Sequence, residues 1–262
     1  MMRSLSIGAS GMYAQQMNVE VISNNIANMS TTGYKRQRPE FQDMLYQNLR
    51  RPGASSSSTG TVLPSGLQLG TGVRLDTISR IHSQGSMDIT DNQLDMAING
   101  DGFFQILMPD GTIAYTRDGT FGVNGEGLVV TREGYQLNPG ITVPQDATAV
   151  SINASGEVFV KIEGQVDEQN LGQINTARFI NPAGLEATGR NLYRETFASG
   201  NPIEGIPGQD GYGAIQQGQL ELSNVNIVNE MTKMITAQRA YEMNSKVISA
   251  SDEMLGTVSN LR

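Results

Sequence analysis

The side chains that could carry chemistry are few and badly placed for it. His82 is the single histidine of the chain, in Ile81-His82-Ser83-Gln84-Gly85, and there is no cysteine. A zinc or other transition-metal centre needs several nitrogen or sulfur ligands, and nothing in the sequence can join His82. We read it as a solvated or locally hydrogen-bonded histidine. Asp88, Asp91 and Asp95 offer oxygen ligands, but their spacing lacks the central Gly and the terminal Glu of a calcium-binding loop. Gly100-Asp101-Gly102 lacks the third glycine of a dinucleotide loop and sits between strand-like stretches, so it reads as a turn. A nucleophile elbow, G-x-S-x-G, and a phosphate loop, G-x-x-x-x-G-K-[ST], are both missing. Carboxylates are plentiful, yet no two are singled out as an acid–base pair for glycoside hydrolysis. The sequence therefore offers no catalytic, cofactor-binding or metal-binding residue.

Charge narrows the partners. The chain has 26 acidic and 18 basic residues, a formal charge of −8. An acidic surface repels the phosphate backbone, and no basic stripe with interleaved aromatics offsets it, which argues against a nucleic-acid partner. Lys35, Arg36 and Arg38 form one short basic cluster, read as a solvated turn. No run of 18 apolar residues exists, so nothing is expected to span a membrane. Gln15, Gln16, Asn18, Glu20, Asn24 and Asn25 break up the first thirty residues, which lack the apolar stretch of a secretory signal. The expectation is a cytosolic chain, or one exported with its N-terminus uncleaved.

With so little chemistry, the elements that would position it come forward. From Val225 to Leu261 an apolar or aromatic residue recurs every seventh position: Ile227, Met234, Tyr241, Ile248 and Leu255. A second row, Ala240, Val247, Met254 and Leu261, runs one residue ahead. Together they predict a helical stripe close to a coiled-coil seam, on a helix roughly 50–55 Å long. Leu5, Met12, Val19 and Ile26 repeat the spacing at the N-terminus, with Ser4 as N-cap and Gly33 as the stop. Gly8 and Gly11 weaken this first helix by about 1 kcal/mol each relative to Ala. Residues 1–34 carry only Arg3 and Glu20, and residues 225–262 carry four acidic and four basic groups, so both ends are neutral. Neutral, striped ends on an acidic body suit dense packing against copies of themselves. The alternative is a pair of ordinary core helices on a β-domain enzyme or binding module.

Between the helices the chain changes character. Residues 54–72 are Ser, Thr, Gly and Pro with Val62, Leu63, Leu67 and Leu69, too aliphatic for a flexible linker and long for a loop. We read them as an arm ordered against a neighbour. From Val73 to about Phe179 short alternating strands are punctuated by Asn99-Gly100, Asp110-Gly111, Asp118-Gly119, Asn124-Gly125, Glu133-Gly134 and Ser155-Gly156, which predict an antiparallel meander or small barrel. The fold class is α+β: terminal helices paired as a coiled-coil-like α domain, an extended arm and a central antiparallel all-β domain. The expected boundaries are 1–34 for the first helix, 35–75 for the arm or hairpin linker, 76–180 for the β domain, 181–224 for a return linker and 225–262 for the last helix. Helices so distant in sequence are expected to order late.

Both ends resemble a known family. Ala14-Gln15-Gln16, Ser23-Asn24-Asn25-Ile26-Ala27-Asn28 and Thr32-Gly33-Tyr34-Lys35-Arg36 are similar to the N-terminal signature of the bacterial flagellar rod, hook and hook-associated proteins. Ser223-Asn224-Val225-Asn226, Glu230-Met231, Gln238-Arg239-Ala240-Tyr241-Glu242, Asn244-Ser245-Lys246 and Asp252-Glu253-Met254-Leu255 resemble its C-terminal one. In the middle, Leu63-Pro64-Ser65-Gly66-Leu67-Gln68-Leu69-Gly70-Thr71-Gly72-Val73-Arg74, His82-Ser83-Gln84-Gly85, Gly102-Phe103-Phe104-Gln105 and Tyr115-Thr116-Arg117-Asp118-Gly119 look like the distal-rod members. Asp146 to Gln173 departs from that pattern. The resemblance implies a non-enzymatic subunit, exported by the flagellar type III apparatus, that assembles helically into the distal rod across periplasm and outer membrane. The implied neighbours are itself, proximal rod proteins, the hook protein, the P-ring and L-ring proteins and the rod cap. Proximal-rod or hook-type proteins are the nearest alternative, separated by the arm with Leu63, Pro64, Gly66, Leu67 and Leu69.

Overall fold

The computed structural model describes residues 2–50, 65–163 and 167–260, and it resolves into two compact units. The first is made of Met1–Ile26, Gln37–Ser79 and Asn226–Arg262. Its helices are α1, Met2–Ala27, and α2, Ile227–Asn260. Between them in sequence come β1 (Gln37–Asp43), β2 (Tyr46–Arg50), β3 (Leu67–Gly70) and β4 (Val73–Arg80), with β1 paired to β4 and β2 to β3. The 34 residues of α2 span about 50 Å. No described helix is long and apolar enough to cross a membrane.

Two helix-end assignments change. Ser4 lies inside the first turn of α1 and is not its N-cap, and α1 stops at Ala27, ahead of Gly33. Gly33 instead takes φ +69 and donates its N–H to the Glu221 carbonyl at 2.8 Å. Its backbone lies against that of Arg117 and Asp118, a site with no room for a Cβ. A left-handed glycine and a helix stop share one sequence signal, and the close approach decides which it is.

The second unit holds Ala27–Arg36 and Arg80–Val225. Its strands are β5 (Met87–Ile89), β6 (Met96–Asn99), β7 (Phe103–Leu107), β8 (Ile113–Thr116), β9 (Phe121–Val123), β10 (Val129–Thr131), β11 (Gln136–Leu137), β12 (Ala147–Ile152), β13 (Glu157–Ile162), β14 (Gln169–Gln173), β15 (Thr176–Arg178), β16 (Glu186–Gly189), β17 (Leu192–Arg194), β18 (Ile203–Gly205), β19 (Ala214–Gln217) and β20 (Gln219–Glu221). All pairings among them are antiparallel. β7 is the central strand: β8 lines one edge, and β11 and β15 share the other. The two faces of β7 feed two cores. Phe104 and Ile106 join Met96, Leu137, Val160 and Ile174, while Phe103 joins Tyr115, Phe179 and Tyr193. Each such side chain contributes roughly 1.5–3 kcal/mol of burial.

Four of the six turn pairs close hairpins as their residue types suggest: Asp110-Gly111 joins β7 to β8, Asn124-Gly125 joins β9 to β10, Glu133-Gly134 joins β10 to β11, and Ser155-Gly156 joins β12 to β13. The other two do not. After Asn99-Gly100, β6 pairs with β19 rather than with β7. Asp118-Gly119 leads past β6, with the Met96 amide donating to the Gly119 carbonyl at 3.0 Å. Residues 181–224, Gly- and Pro-rich in sequence, carry β16 to β20.

Candidate self-assembly helices and a buried ion network

In the first unit, α1 and α2 run antiparallel. Ser4 Oγ accepts from Ser251 Oγ at 3.1 Å at one end, and Asn25 Nδ2 donates to Glu230 Oε2 at 3.1 Å at the other. Between these, Gly8 faces Ile248 and Gly11 faces Asn244, each so closely that an added Cβ would sit within 3 Å of the opposing side chain. The two glycines that weaken an isolated helix thus bring the pair together. Along α2 the less exposed positions are Glu230, Met234, Ala237, Ala240, Asn244, Ile248, Ser251 and Leu255. With Tyr241 in its heptad place, most of them form one seam of alternating three- and four-residue steps.

Of the predicted stripe, Leu5, Met12, Val19 and Ile26 are half-buried on α1, as are Met234, Ile248 and Leu255 on α2, while Ile227 and Tyr241 are more exposed. The second row belongs to a different face: Val247 and Met254 stand in solvent. A one-residue offset is about 100° of helix rotation, so both rows cannot face one partner. Leu261 lies outside the described residues. In the predicted arm, residues 51–64, with Leu63 and Pro64, also lie outside them. Gly66 is half-buried, and Leu67 and Leu69 are exposed on β3, against β2.

The family-motif residues fall into three groups. Asn25 is buried, exchanging hydrogen bonds with the Gln37 backbone at 2.8 and 2.9 Å, whereas Asn24 is exposed and Asn28 accepts from Thr31 Oγ1 at 3.2 Å. Gln238, Arg239 and Tyr241 lie on exposed stretches of α2. Thr32, Gly33, Tyr34, Asn224 and Val225 belong to the second unit. There Asn224 Oδ1 accepts the Arg36 amide at 2.7 Å, and its Nδ2 donates to the Ile81 carbonyl at 2.8 Å. The Thr32 carbonyl accepts from Asn191 Nδ2 at 2.9 Å. Tyr34 donates its amide to the Thr31 carbonyl, and Val225 its own to Ser223 Oγ.

Lys35 corrects the reading of a solvated basic turn. It is 1% exposed, and its Nζ contacts Glu221 Oε1 at 2.6 Å and the Ser83 carbonyl at 2.9 Å. Arg117, also buried, places NH1 3.2 Å from Glu221 Oε2 and NH2 2.7 Å from the Gly100 carbonyl. The Gly85 amide donates to Glu221 Oε1 at 2.8 Å. One carboxylate thus holds two cations from distant segments. Burial lowers the pKa of both Lys35 and Arg117, against the pull of Glu221. The tripeptide Thr-Gly-Tyr marked the neighbourhood of Lys35, but nothing in Gln219-Leu220-Glu221 marks its partner.

His82 takes the second of its two readings: it is half-buried and locally hydrogen-bonded. It packs edge-on against Phe103 and Tyr193, both with centroids at 5.7 Å, and reaches the Pro182 backbone. Burial, reinforced by the Lys35, Arg117 and Arg80 charges, pushes its pKa down to about 4. The imidazole is therefore neutral at pH 7. Between its ordinary 6.5 and about 4 the unfolded chain binds the proton and the folded chain does not, so stability is lost as pH is lowered through that window, by up to about 3 kcal/mol. His82→Phe, which suits the aromatic surroundings, is expected to remove that part of the slope. Thermal unfolding at pH 7, 5.5 and 4.5 checks this; identical slopes in both proteins would contradict it.

No group of metal-ligating side chains converges among the described residues. Two long helices with apolar residues left facing solvent, carried on a chain whose middle is an antiparallel β unit stitched by buried ions, define a structural subunit built to pack against other chains. Comparison with known proteins places that class. Three family profiles match: flagella basal body rod protein over residues 5–35, the flagellar hook protein FlgE/F/G D1 domain over 97–160, and the flagellar basal body rod FlgEFG protein C-terminal region over 216–261. The flagellar basal-body rod protein FlgG of Caulobacter vibrioides is 54% identical over 261 residues, covering all of both chains. Those of Borreliella burgdorferi and Bacillus subtilis are 49% and 42% identical, again over the whole of this chain. The chain belongs to the FlgG family of flagellar basal-body rod proteins, structural subunits of the flagellar basal body.

Proposed function

We propose that this chain assembles helically, through α1 and α2, into the distal rod, the stiff shaft that carries motor torque to the hook across the periplasm and outer membrane. The observation that carries the reading is the pair of long, charge-neutral helices with an unsatisfied apolar row on each. A contact between unlike faces that does not close on itself produces a filament. The subunit performs no catalysis: the Lys35 and Arg117 charges are both engaged by Glu221, and the lone histidine is half-buried against Phe103 and Tyr193. It travels through the flagellar type III apparatus with its N-terminus uncleaved, and contacts proximal rod, hook, rod cap and the P and L rings. Residues 54–72 reach an adjacent subunit and stiffen the shaft, which separates this reading from a proximal-rod or hook role.

The experiment is electron microscopy of isolated basal bodies, with the chain located by immunogold. Label along the distal shaft is expected, and label confined to the hook or proximal rod would select those alternatives. In the same preparations a chain lacking residues 54–72 is expected to give bendable rods or none. Straight rods of ordinary stiffness after the deletion would refute the role of the arm.

A further inference from the structure

The aromatic face of the β unit carries a polar pocket that helix-driven assembly does not use. β8 sets Tyr115 beside Gln105 of β7 and Tyr193 of β17, while β15 sets Ala177 beside Phe103 of β7 and Glu204 of β18. Directly paired and alternate strand residues share a face, so Phe103, Tyr115, Ala177, Tyr193 and Glu204 stand on one side of the sheet. All but Glu204 belong to the aromatic core. Glu204, at the edge, lines a cavity of about 440 Å³. Ile113, Pro202 and Tyr115 form its wall, and Glu195, directly after β17, lines it as well.

Three acceptors meet there without a donor of their own. Tyr115 is 2% exposed, and its ring packs edge-on against Phe179 at 4.8 Å between centroids. Its hydroxyl makes no hydrogen bond among the described residues. Burial, and after it the Glu195 and Glu204 charges, push the phenol up to about 12, so it stays neutral at pH 7. Neither glutamate is ion-paired among the described residues, although Arg194 lines the same cavity. Arg194 NH2 instead lies 3.5 Å from Asp110 Oδ2, which offsets its charge. The Thr112 hydroxyl also turns to Asp110, at 2.6 Å. With these rim donors spent on Asp110, two carboxylates are left around a buried phenol oxygen. A pocket of this size, acidic on one side and apolar on the other, suits one organic cation on an aliphatic stem. It suits a guanidinium better than an ammonium. A planar fork of five donors meets acceptors in several directions, and it is the more weakly hydrated group on entry.

We propose that this pocket seats the guanidinium of an arginine side chain presented by a partner protein. The Tyr115 oxygen accepts one N–H, Glu195 and Glu204 supply the counter-charge, and Ile113 and Pro202 cover the stem. Phe197 points to a protein in preference to a free guanidine. It lies two positions past Glu195 and is 110% exposed, where a large aromatic contributes nothing to the fold and is open to a chain lying over the pocket.

The test titrates the full-length chain by calorimetry with N-acetyl-arginine methylamide, which carries a single guanidinium. A Kd on the order of 1 mM is expected for so small a ligand. The lysine analogue should bind more weakly, and the uncharged citrulline analogue about tenfold more weakly or worse. Tyr115→Phe removes one oxygen and keeps the ring, and should weaken arginine binding about tenfold. If that variant fails to fold, Glu195→Gln/Glu204→Gln, at two exposed positions, decides the matter, with a loss of about tenfold or more expected. Equal affinity for the arginine and citrulline analogues, or unchanged affinity in the double glutamine variant, would overturn the pocket. A lysine analogue that binds as tightly as the arginine one would overturn the choice of guanidinium. Acetyl-Leu-Arg-Leu-amide is expected to bind about threefold more tightly than the single residue, and Phe197→Ser should abolish that gain. No gain, or a gain that survives Phe197→Ser, would overturn the protein partner in favour of a small free guanidine.

Discussion

Glu221→Gln is expected to cost the full-length chain about 3–5 kcal/mol and to lower the melting temperature of its β unit by about 10 °C or more. The substitution keeps the shape of the side chain and removes only its charge. What remains are the Lys35 ammonium and the Arg117 guanidinium, both deeply buried and drawn to the same two oxygens. Neither cation has another carboxylate within ion-pairing distance among the described residues, and Arg117 Nε already lacks a partner. Losing one member of a buried network leaves charges desolvated without compensation, which costs far more than the network contributes net. The variant should also acquire a pH signature. Burial already holds Lys35 below its ordinary 10.5, and without Glu221 that depression deepens. The unfolded chain then binds the extra proton, so the variant should regain stability as pH rises from 7 toward 10. Near-UV circular dichroism of the tyrosines follows the transition. A change under 1 kcal/mol at pH 7 would contradict the account. The triple variant Lys35→Met/Arg117→Met/Glu221→Leu should recover part of the loss, since an apolar replacement of all three members needs no counter-charge.

Gly119→Ala is the second substitution expected to be severe, at about 3 kcal/mol or more, although alanine is the mildest change a glycine can undergo. Gly119 does not need left-handed backbone. A Cβ there would stand 1.5 Å from the Met96 carbonyl oxygen and 2.7 Å from its carbon, a backbone neighbour that cannot rotate aside. Accommodating the methyl means parting the 117–120 segment from β6, breaking the 3.0 Å bond between the Met96 amide and the Gly119 carbonyl and opening the core around Met96 and Ile98. Gly122→Ala is the control. Gly122 sits in β9 with nothing within 4 Å of its would-be Cβ, so the change should be neutral or slightly stabilising. Equilibrium urea unfolding of both variants decides the matter. Equal midpoints would show that the close approach at Gly119 is not the constraint.

The chemical character of individual residues was legible in the sequence, and their company was not. Heptad spacing at both ends determined that the chain has two long terminal helices, because period is a property of one strand of sequence and needs no partner to be read. The Asp-Gly, Asn-Gly and Glu-Gly pairs between alternating segments likewise determined an antiparallel body, since a tight turn is closed by its own four residues. Sparse histidine, absent cysteine and scattered carboxylates argued against a catalytic centre for the same local reason. Tertiary structure alone decided the rest. It decided that Lys35 is buried, because its partner Glu221 lies 186 positions away and a lysine carries no mark of where its counter-ion will come from. It decided that His82 is half-buried against aromatics and neutral, since Phe103 and Tyr193 reach it from other strands. It separated Gly119, excluded from substitution by a passing carbonyl, from Gly111, which takes φ +80 in a hairpin turn, though both follow Asp. And it split one apparent stripe on α2 into two faces, one spent on α1 and one left open, because sequence gives the period of a helix while only packing gives the direction in which each row points.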